Sequence, residues 1–213
     1  MSYGEHMKNA SYEDVLAGSL TYKSRVMDQD AERYESLAAG QSPKITFLTC
    51  SDSRIDPCAL TNTQPGDLFV IRNAGNIVPP ENGSPCGELA SLEFAVRGLK
   101  TEHIVVCGHS DCGAMKGMLA PDSCAHLSHV SAWTRLAQDA RVALEGVGDD
   151  PKARLNAAIR ANVKLQLENL RKLDFVREGE EAGTLRLHGW VYSIANGSVD
   201  VVEEAEQALA SAV

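Results

Sequence analysis

Two short motifs constrain this chain more than any other feature, because each follows an apolar run with the composition of a buried strand. Residues 45–49 (ITFLT) precede the motif CSDSR, which spans Cys50 to Arg54. Residues 102–106 (EHIVV) precede the motif CGHSDCGAM, which spans Cys107 to Met115. Short β-branched runs flanked by turn residues are typical of buried parallel strands. Both motifs are therefore predicted at the carboxyl ends of strands, where open α/β sheets hold their active sites.

The two motifs together contain side chains that can bind a metal and tune it. These residues are Cys50, Asp52, Arg54, His109 and Cys112. Two thiols and an imidazole form a ligand set that suits zinc, and catalytic zinc uses three protein ligands when the fourth position is kept for water. The sequence thus favours an enzyme that uses a zinc-bound hydroxide, with one Zn²⁺ per chain held by Cys50, His109 and Cys112.

Other interpretations of the same motifs compete with catalytic zinc. A buried free cysteine is ordinarily a small core residue, which explains Cys107 but not Cys50 or Cys112, since these fall just past the strands. A phosphatase-type thiolate loop would place its arginine further along the chain than Arg54 stands from Cys50. A nucleophile elbow needs a second glycine where Cys112 stands. A structural zinc site stays possible, although neither motif offers a fourth cysteine or histidine to close it.

The composition of the chain limits which classes of binding partner and which cellular compartment are expected. The formal net charge of −9 and the sequence pI of about 5.1 argue against nucleic acid or an anionic membrane as partner, because either would require a basic face. No apolar run approaches the roughly 18 residues of a membrane span, and the amino terminus has no basic start or apolar core of a signal peptide. The six cysteines form no Cys-x-x-Cys pair. These features predict reduced thiols and a cytoplasmic protein.

The chain is predicted to be a single α/β domain of residues 1–213. Its mostly parallel central sheet has four to five strands and is flanked by helices. Residues 1–40 form an amino-terminal helical arm with apolar and charged positions at helical spacing, and residues 41–195 form the catalytic core. Residues 196–213 are predicted to form a hairpin strand followed by a helix. The strand is expected because Asn196-Gly197 is a strong hairpin signal.

The motifs resemble those of a known family. CSDSR and HSDCG, taken with RNAGN (Arg72 to Asn76) and HGWVY (His188 to Tyr192), are similar in order and spacing to the β-class carbonic anhydrases. The resemblance runs from about Gln41 to Tyr192. It implies reversible hydration of carbon dioxide to bicarbonate and a proton, and a homodimer or higher even-numbered homo-oligomer in which the amino-terminal helices pack on a partner subunit.

The resemblance also assigns roles to individual residues. Asp52 and Arg54 would be the catalytic pair: the carboxylate accepts a hydrogen bond from the nucleophile, and the guanidinium holds that carboxylate off the metal. Substrate contacts are implied for Gln41, Phe69, Phe94 and Gly113. The family typically has Tyr where this chain has Phe94, so one hydroxyl is missing here.

The resemblance further indicates a subtype. Some family members close the site as a bicarbonate switch, using a Trp, an Arg and a Tyr. This chain has Arg72 and Tyr192 at the matching positions, but Phe47 stands where the Trp would be. With RNAGN and Gln41, it is more similar to the plant-like type, whose site stays open. Because two thiolates cancel the charge of the ion, we also expect activity to rise toward alkaline pH.

Two other functions remain open on the sequence. The same zinc site could hydrolyse carbon disulfide or carbonyl sulfide, which are isosteres of carbon dioxide. A chain of this family could also be a non-catalytic, zinc-containing bicarbonate sensor, although loss of Asp52 or Arg54 would be expected in that case, and both residues are present.

Overall fold

The chain divides into two compact units, Met1–Gln41 and Ser42–Val213. The structure is a computed structural model and describes residues 9–203. The predicted carboxyl-terminal helix lies beyond Glu203 and therefore outside the described residues. The expectation of a single domain stays a prediction.

The described part of the first unit is helical. Helix α1 (Tyr12–Leu20) begins with a capping box, in which Ser11 and Asp14 each bond the other's backbone N–H. The chain continues through α2 (Tyr22–Arg25), a 3₁₀ turn and α3 (Ala31–Ala39), which ends at Gly40. Large apolar side chains of α1 are exposed to solvent: Tyr12, Val15, Leu16 and Leu20.

The second unit is built on one five-stranded sheet. Its strands are β1 (Ile45–Cys50), β2 (Leu68–Asn73), β3 (His103–His109), β4 (Arg186–Tyr192) and β5 (Val199–Glu203). The spatial order is β2-β1-β3-β4-β5, with four parallel strands and an antiparallel β5 at one edge. The predicted mostly parallel α/β sheet is thereby confirmed, and β5 returns after Asn196-Gly197 as the hairpin signal predicts.

Among the described residues of the second unit, six helices connect and cover these strands. They are α4 (Pro57–Thr61), α5 (Gly87–Glu93), α6 (Gly113–Leu119), α7 (Ser128–Thr134), α8 (Pro151–Lys172) and α9 (Asp174–Glu181). Helix α5 runs on as a π-helical turn, Phe94–Gly98, and α7 runs on as a 3₁₀ helix, Arg135–Leu144. Pro151 opens α8 at its first turn, where Asp150 caps it by accepting from the Ala153 N–H at 2.9 Å.

Alternate residues of the central strands build separate clusters on the two faces of the sheet. Leu48, Val106 and Leu187 belong to the large core, together with Val163 and Leu167 of α8. On the other face, Phe47, Val105 and Cys107 form a smaller cluster with Leu60 and Trp190. At Gly108 of β3, an added Cβ would lie 2.8 Å from the Val163 side chain, so glycine lets α8 pack close to the sheet.

The strand order creates a crevice at one place on the sheet. From β1 the chain moves to β2 on one side, and it then returns to place β3 on the other side of β1. Neighbouring parallel strands whose connections leave in opposite directions form a switch point, where α/β proteins bind ligands beyond the carboxyl ends of the strands. Both sequence motifs begin in the last residues of the two strands of this switch point, β1 and β3, and continue past their carboxyl ends.

Candidate metal centre

The structure brings the three predicted metal ligands together. Cys50 is the last residue of β1, His109 is the last residue of β3, and Cys112 is the N-cap residue of α6. Their ligand atoms all lie within 4.8 Å of one another, and all three residues are buried. Between them, Asp111 adopts a left-handed backbone with φ of 62°, which turns the chain sharply from β3 into α6. Among residues 9–203, this is the one group of His, Cys and acidic residues close enough to hold a metal ion.

His109 is oriented as a metal ligand. Its Nδ1 lies 2.9 Å from the Ser110 carbonyl oxygen, which can only accept, so Nδ1 carries the proton. The other ring nitrogen, Nε2, is buried and has no hydrogen-bond partner in the part of the chain that the structure describes. A buried polar atom without a partner is costly, whereas a metal bond would satisfy its lone pair. The donor set therefore fits a metal ion.

The two thiols interact strongly with each other. A hydrogen bond with Cys112 lowers the pKa of Cys50 to about 4, and this outweighs the opposing effect of burial. The same interaction, reinforced by burial, raises the pKa of Cys112 above its usual range. The pair therefore shares one proton. A divalent cation would take the place of that proton, because cysteine binds metal as a thiolate.

Asp52 and Arg54 form a paired unit beside the ligands. The guanidinium donates from Nε to Asp52 Oδ1 at 2.8 Å and from its terminal nitrogen to Asp52 Oδ2 at 2.7 Å. These hydrogen bonds hold the pKa of the Asp52 carboxyl well below its usual range. Asp52 Oδ2 lies 3.9 Å from His109 Nε2, so the carboxylate borders the ligand cluster without a hydrogen bond to it. Arg54 also reaches Asp111 at 3.1 Å.

Arg72 of β2 fixes the backbone of the first motif. Its guanidinium donates to the carbonyl oxygen of Cys50 at 3.1 Å and to that of Asp52 at 2.7 Å. Phe47, at the position of the family's switch Trp, is fully buried and packs edge-on against Trp190. Arg72 and Phe47, two of the three positions weighed above for the switch, thus make contacts that hold the fold.

The loop after β2 supplies contacts that the sequence analysis missed. The Gly75 N–H donates to Cys50 Sγ at 3.3 Å, and Gly75 has φ of 83°. An added Cβ there would lie 2.8 Å from the Ala114 Cβ, so this position requires glycine. Trp133 and Asn162 bond the same loop. A sequence signal existed for Asn162, a polar residue within the apolar stripe of α8, but none existed for Trp133.

The predicted substrate residues fall in three places. Phe69 on β2 and Phe94 at the start of the π turn pack together with ring centroids 6.1 Å apart, and half of Phe94 is exposed. Gly113 is the first residue of α6, directly after Cys112, with open space where a side chain would project. Gln41 is the last residue of the first unit. Their contact with substrate stays a prediction.

Comparison with known proteins gives one consistent result. The sequence model of a family described as "Carbonic anhydrase" matches residues 45–199. A carbonic anhydrase of Pseudomonas aeruginosa is 44% identical over 201 residues, covering 93% of this chain and 90% of that protein.

Solved structures agree. The solved structure of the β-carbonic anhydrase CcaA superimposes on this chain with a TM-score of 0.85 at 37% identity. The match covers 89% of this chain and 93% of the CcaA chain. A structure described as one of two tetrameric β-carbonic anhydrases from Sordaria macrospora gives a TM-score of 0.79 at 29% identity, covering 89% and 95%. Within residues 9–203, no helix combines the length and apolar character needed to cross a membrane.

Proposed function

This chain belongs to the β-class carbonic anhydrases and is an enzyme of that family, and from this premise we propose that it catalyses the zinc-dependent, reversible hydration of carbon dioxide to bicarbonate and a proton. The observation that carries the proposal is the buried cluster of Cys50, His109 and Cys112, in which His109 Nε2 has no partner among the described residues. Nitrogen and sulfur donors suit zinc better than hard cations such as magnesium. We therefore assign one Zn²⁺ per chain to these three residues.

Zinc supplies a nucleophile in such a site, because the ion lowers the pKa of a bound water to about 7 in favourable cases. The protein's own contribution is to hold the ligands and to orient the reacting water. Cys50, His109 and Cys112 would hold the ion and leave room for a water, and Asp52 borders this cluster. With its pKa held low by Arg54, Asp52 stays ionised and can accept a hydrogen bond at Oδ2 from the reacting water.

Asp52 could instead bind the metal and so close the site. The hydrogen bonds of Arg54 disfavour that arrangement, because they hold the Asp52 carboxylate in its present position. Two parallel hydrogen bonds from the guanidinium occupy both carboxylate oxygens. Arg72 bonds the backbone of the same motif, and Phe47 is packed on the opposite face from the main core. These contacts support the open, plant-like type of site over the bicarbonate-switched type.

Carbon dioxide is apolar and carries no charge, so its pocket needs apolar walls with few polar groups. Phe69 and Phe94 would supply such a wall, and the Gly113 backbone would supply a polar contact. Since Phe94 lacks the hydroxyl that the family typically has, this chain would hold substrate there by packing alone.

We also propose a homodimer or a higher even-numbered oligomer. The exposed apolar side chains of α1 support it, because contiguous apolar surface on a helix marks an interaction site. The related Sordaria enzyme is described as tetrameric. A reducing compartment, and so a cytoplasmic location, would keep the ligand cysteines as thiolates.

Stopped-flow measurement of carbon dioxide hydration at alkaline pH tests the proposed function. The wild-type protein should turn over rapidly, and Cys50→Ser should lose both activity and bound zinc. Cys58→Ser is the matched control, because Cys58 is a partly buried free thiol outside the ligand cluster. That variant should retain both properties.

The same experiment separates the rival functions. No hydration by a wild-type protein that contains zinc would overturn the proposal. Hydrolysis of carbon disulfide or carbonyl sulfide by that protein would then identify the sulfur-substrate enzyme. Bicarbonate binding without turnover of any of these substrates would identify a sensor.

A further inference from the structure

One peptide group links the indole of Trp133 to the ligand sulfur of Cys50. Trp133 Nε1 donates to the Ala74 carbonyl oxygen at 2.8 Å, and the Gly75 N–H donates to Cys50 Sγ at 3.3 Å. That carbonyl and that N–H belong to the same peptide bond, which is planar and shares its electrons by resonance. A donor on the oxygen therefore polarises the group and strengthens the hydrogen bond that its N–H makes.

Asn162 of α8 fixes Gly75 from its other side. Its Nδ2 donates to the Gly75 carbonyl oxygen at 3.0 Å, while its Oδ1 accepts from Gln166 Nε2 at 2.8 Å. Both amides are buried, with 1% of Asn162 and none of Gln166 exposed. Because each amide atom has a partner of the right kind, the orientation of Asn162 is determined.

Gln166 also holds the far end of the loop. Its Oε1 accepts from the Val78 N–H at 2.8 Å, one helical turn along α8 from Asn162. The loop is thus attached to a long, buried helix at Gly75 and at Val78. Gly75 is left-handed and leaves no room for a Cβ, and in this conformation its N–H points toward Cys50 Sγ.

We propose that Trp133 and Asn162 are positioning residues for Cys50, which aim the Gly75 N–H at the ligand sulfur and so tune the metal site. The inference rests on the proposed function, since it requires Cys50 to ligate zinc. Partners one step removed from a metal orient its ligands and adjust their donor strength, and their loss typically costs about 10–100-fold in metal affinity or activity. The alternative is that these hydrogen bonds serve only the packing of the loop.

Trp133→Phe tests the link, because it removes the N–H and keeps an aromatic ring. Two properties are measured: the zinc dissociation constant, by competition with a chelator, and the sulfur-to-cobalt charge-transfer band of the Co²⁺-substituted protein. We expect zinc to bind about tenfold more weakly. We expect the band to move to longer wavelength, because a thiolate that loses hydrogen-bond donation holds its electrons at higher energy. Asn162→Leu should change both in the same direction.

Thr134→Val is the matched control for Trp133→Phe. It removes a side-chain hydrogen bond from the next residue of the same helix, Oγ1 to the Val130 carbonyl at 3.0 Å, and leaves the Gly75 link intact. It should keep the wild-type zinc affinity and the wild-type band.

The outcomes separate this inference from the proposed function. A Trp133→Phe protein with the wild-type band overturns the inference, whatever happens to its stability, because a packing role alone would not move the band. A wild-type protein that binds neither zinc nor cobalt at Cys50 overturns the proposed function instead.

Discussion

Arg54 is the residue that, in our proposal, keeps the site open by holding the Asp52 carboxylate off the metal. It engages both oxygens of Asp52 and bridges to Asp111, although 44% of its side chain is exposed. In Arg54→Ala, the Asp52 carboxylate loses its partner, its pKa rises toward the usual value, and it becomes free to bind the metal. We expect kcat/KM for carbon dioxide hydration to fall about 10- to 100-fold while zinc content is retained, as for loss of an outer-shell partner.

Arg97→Ala provides the control for Arg54→Ala. Arg97 also bridges two carboxylates, Glu93 and Glu178, at a similar exposure of 48% but away from the metal ligands. Surface ion pairs of this kind contribute little to stability, so the control should keep wild-type kinetics. Wild-type activity in Arg54→Ala would contradict the role given to the pair.

Residue type and position were enough to predict the metal-binding cluster but not its supports. Cys50, His109 and Cys112 could be proposed as ligands because they fall at the ends of two predicted strands, and the structure brings their ligand atoms together. Trp133 and Asn162 act on a loop that precedes them by 59 and 87 residues. No local pattern encodes such a contact, since it exists only once α7 and α8 have packed on the sheet.

At the level of elements, β3 and β4 carry a pair of histidines remote from the metal ligands. His103 Nδ1 lies 2.9 Å from His188 Nε2. Partial burial, and then the charge of Arg186, lower the pKa of His103, against a smaller opposing effect of Glu102. The folded protein therefore favours neutral His103. Its contribution to stability is fully present above the unfolded pKa of 6.5 and is lost as the pH falls from there through the folded pKa.

His103→Asn tests this contribution, because asparagine can place a polar atom near the position of Nδ1 but does not titrate. We expect the wild type to lose more of its free energy of unfolding than the variant when urea denaturation is compared at about pH 8 and about pH 5.5. His126→Asn, which alters an exposed histidine, should retain the wild-type difference. Parallel behaviour of the wild type and His103→Asn would show that His103 contributes nothing.

Element positions followed closely from the sequence, whereas their arrangement did not. The apolar runs at residues 45–49 and 102–106 mark the positions of β1 and β3, although β3 continues for three residues beyond its run, to His109. Helix α5 is not regular to its end, since the chain widens into a π helix at Phe94–Gly98. The strand order that makes the switch point between β1 and β3 depends on long-range packing, which periodicity does not report.

For the whole molecule, the first helix gives the clearest test of assembly. Tyr12, Val15, Leu16 and Leu20 lie within one side of α1 at helical spacing, and each is exposed by 43% or more. Such a surface would be costly to leave in water, so we expect it to be covered by a second copy of the chain. Leu16→Glu places a charge in the middle of this surface, and burial of an unpaired charge is unfavourable.

We expect Leu16→Glu to shift the mass measured by light scattering toward that of a single chain, or to raise the concentration at which the oligomer dissociates. Ala17→Glu adds the same charge to the next residue, on the polar side of α1, and should leave the mass unchanged. The position matters because consecutive residues of a helix point about 100° apart. Equal masses for the wild type and both variants would assign the oligomer interface, if there is one, to another surface. If Leu16→Glu also loses hydration activity while it still binds zinc, the substrate pocket depends on the partner subunit.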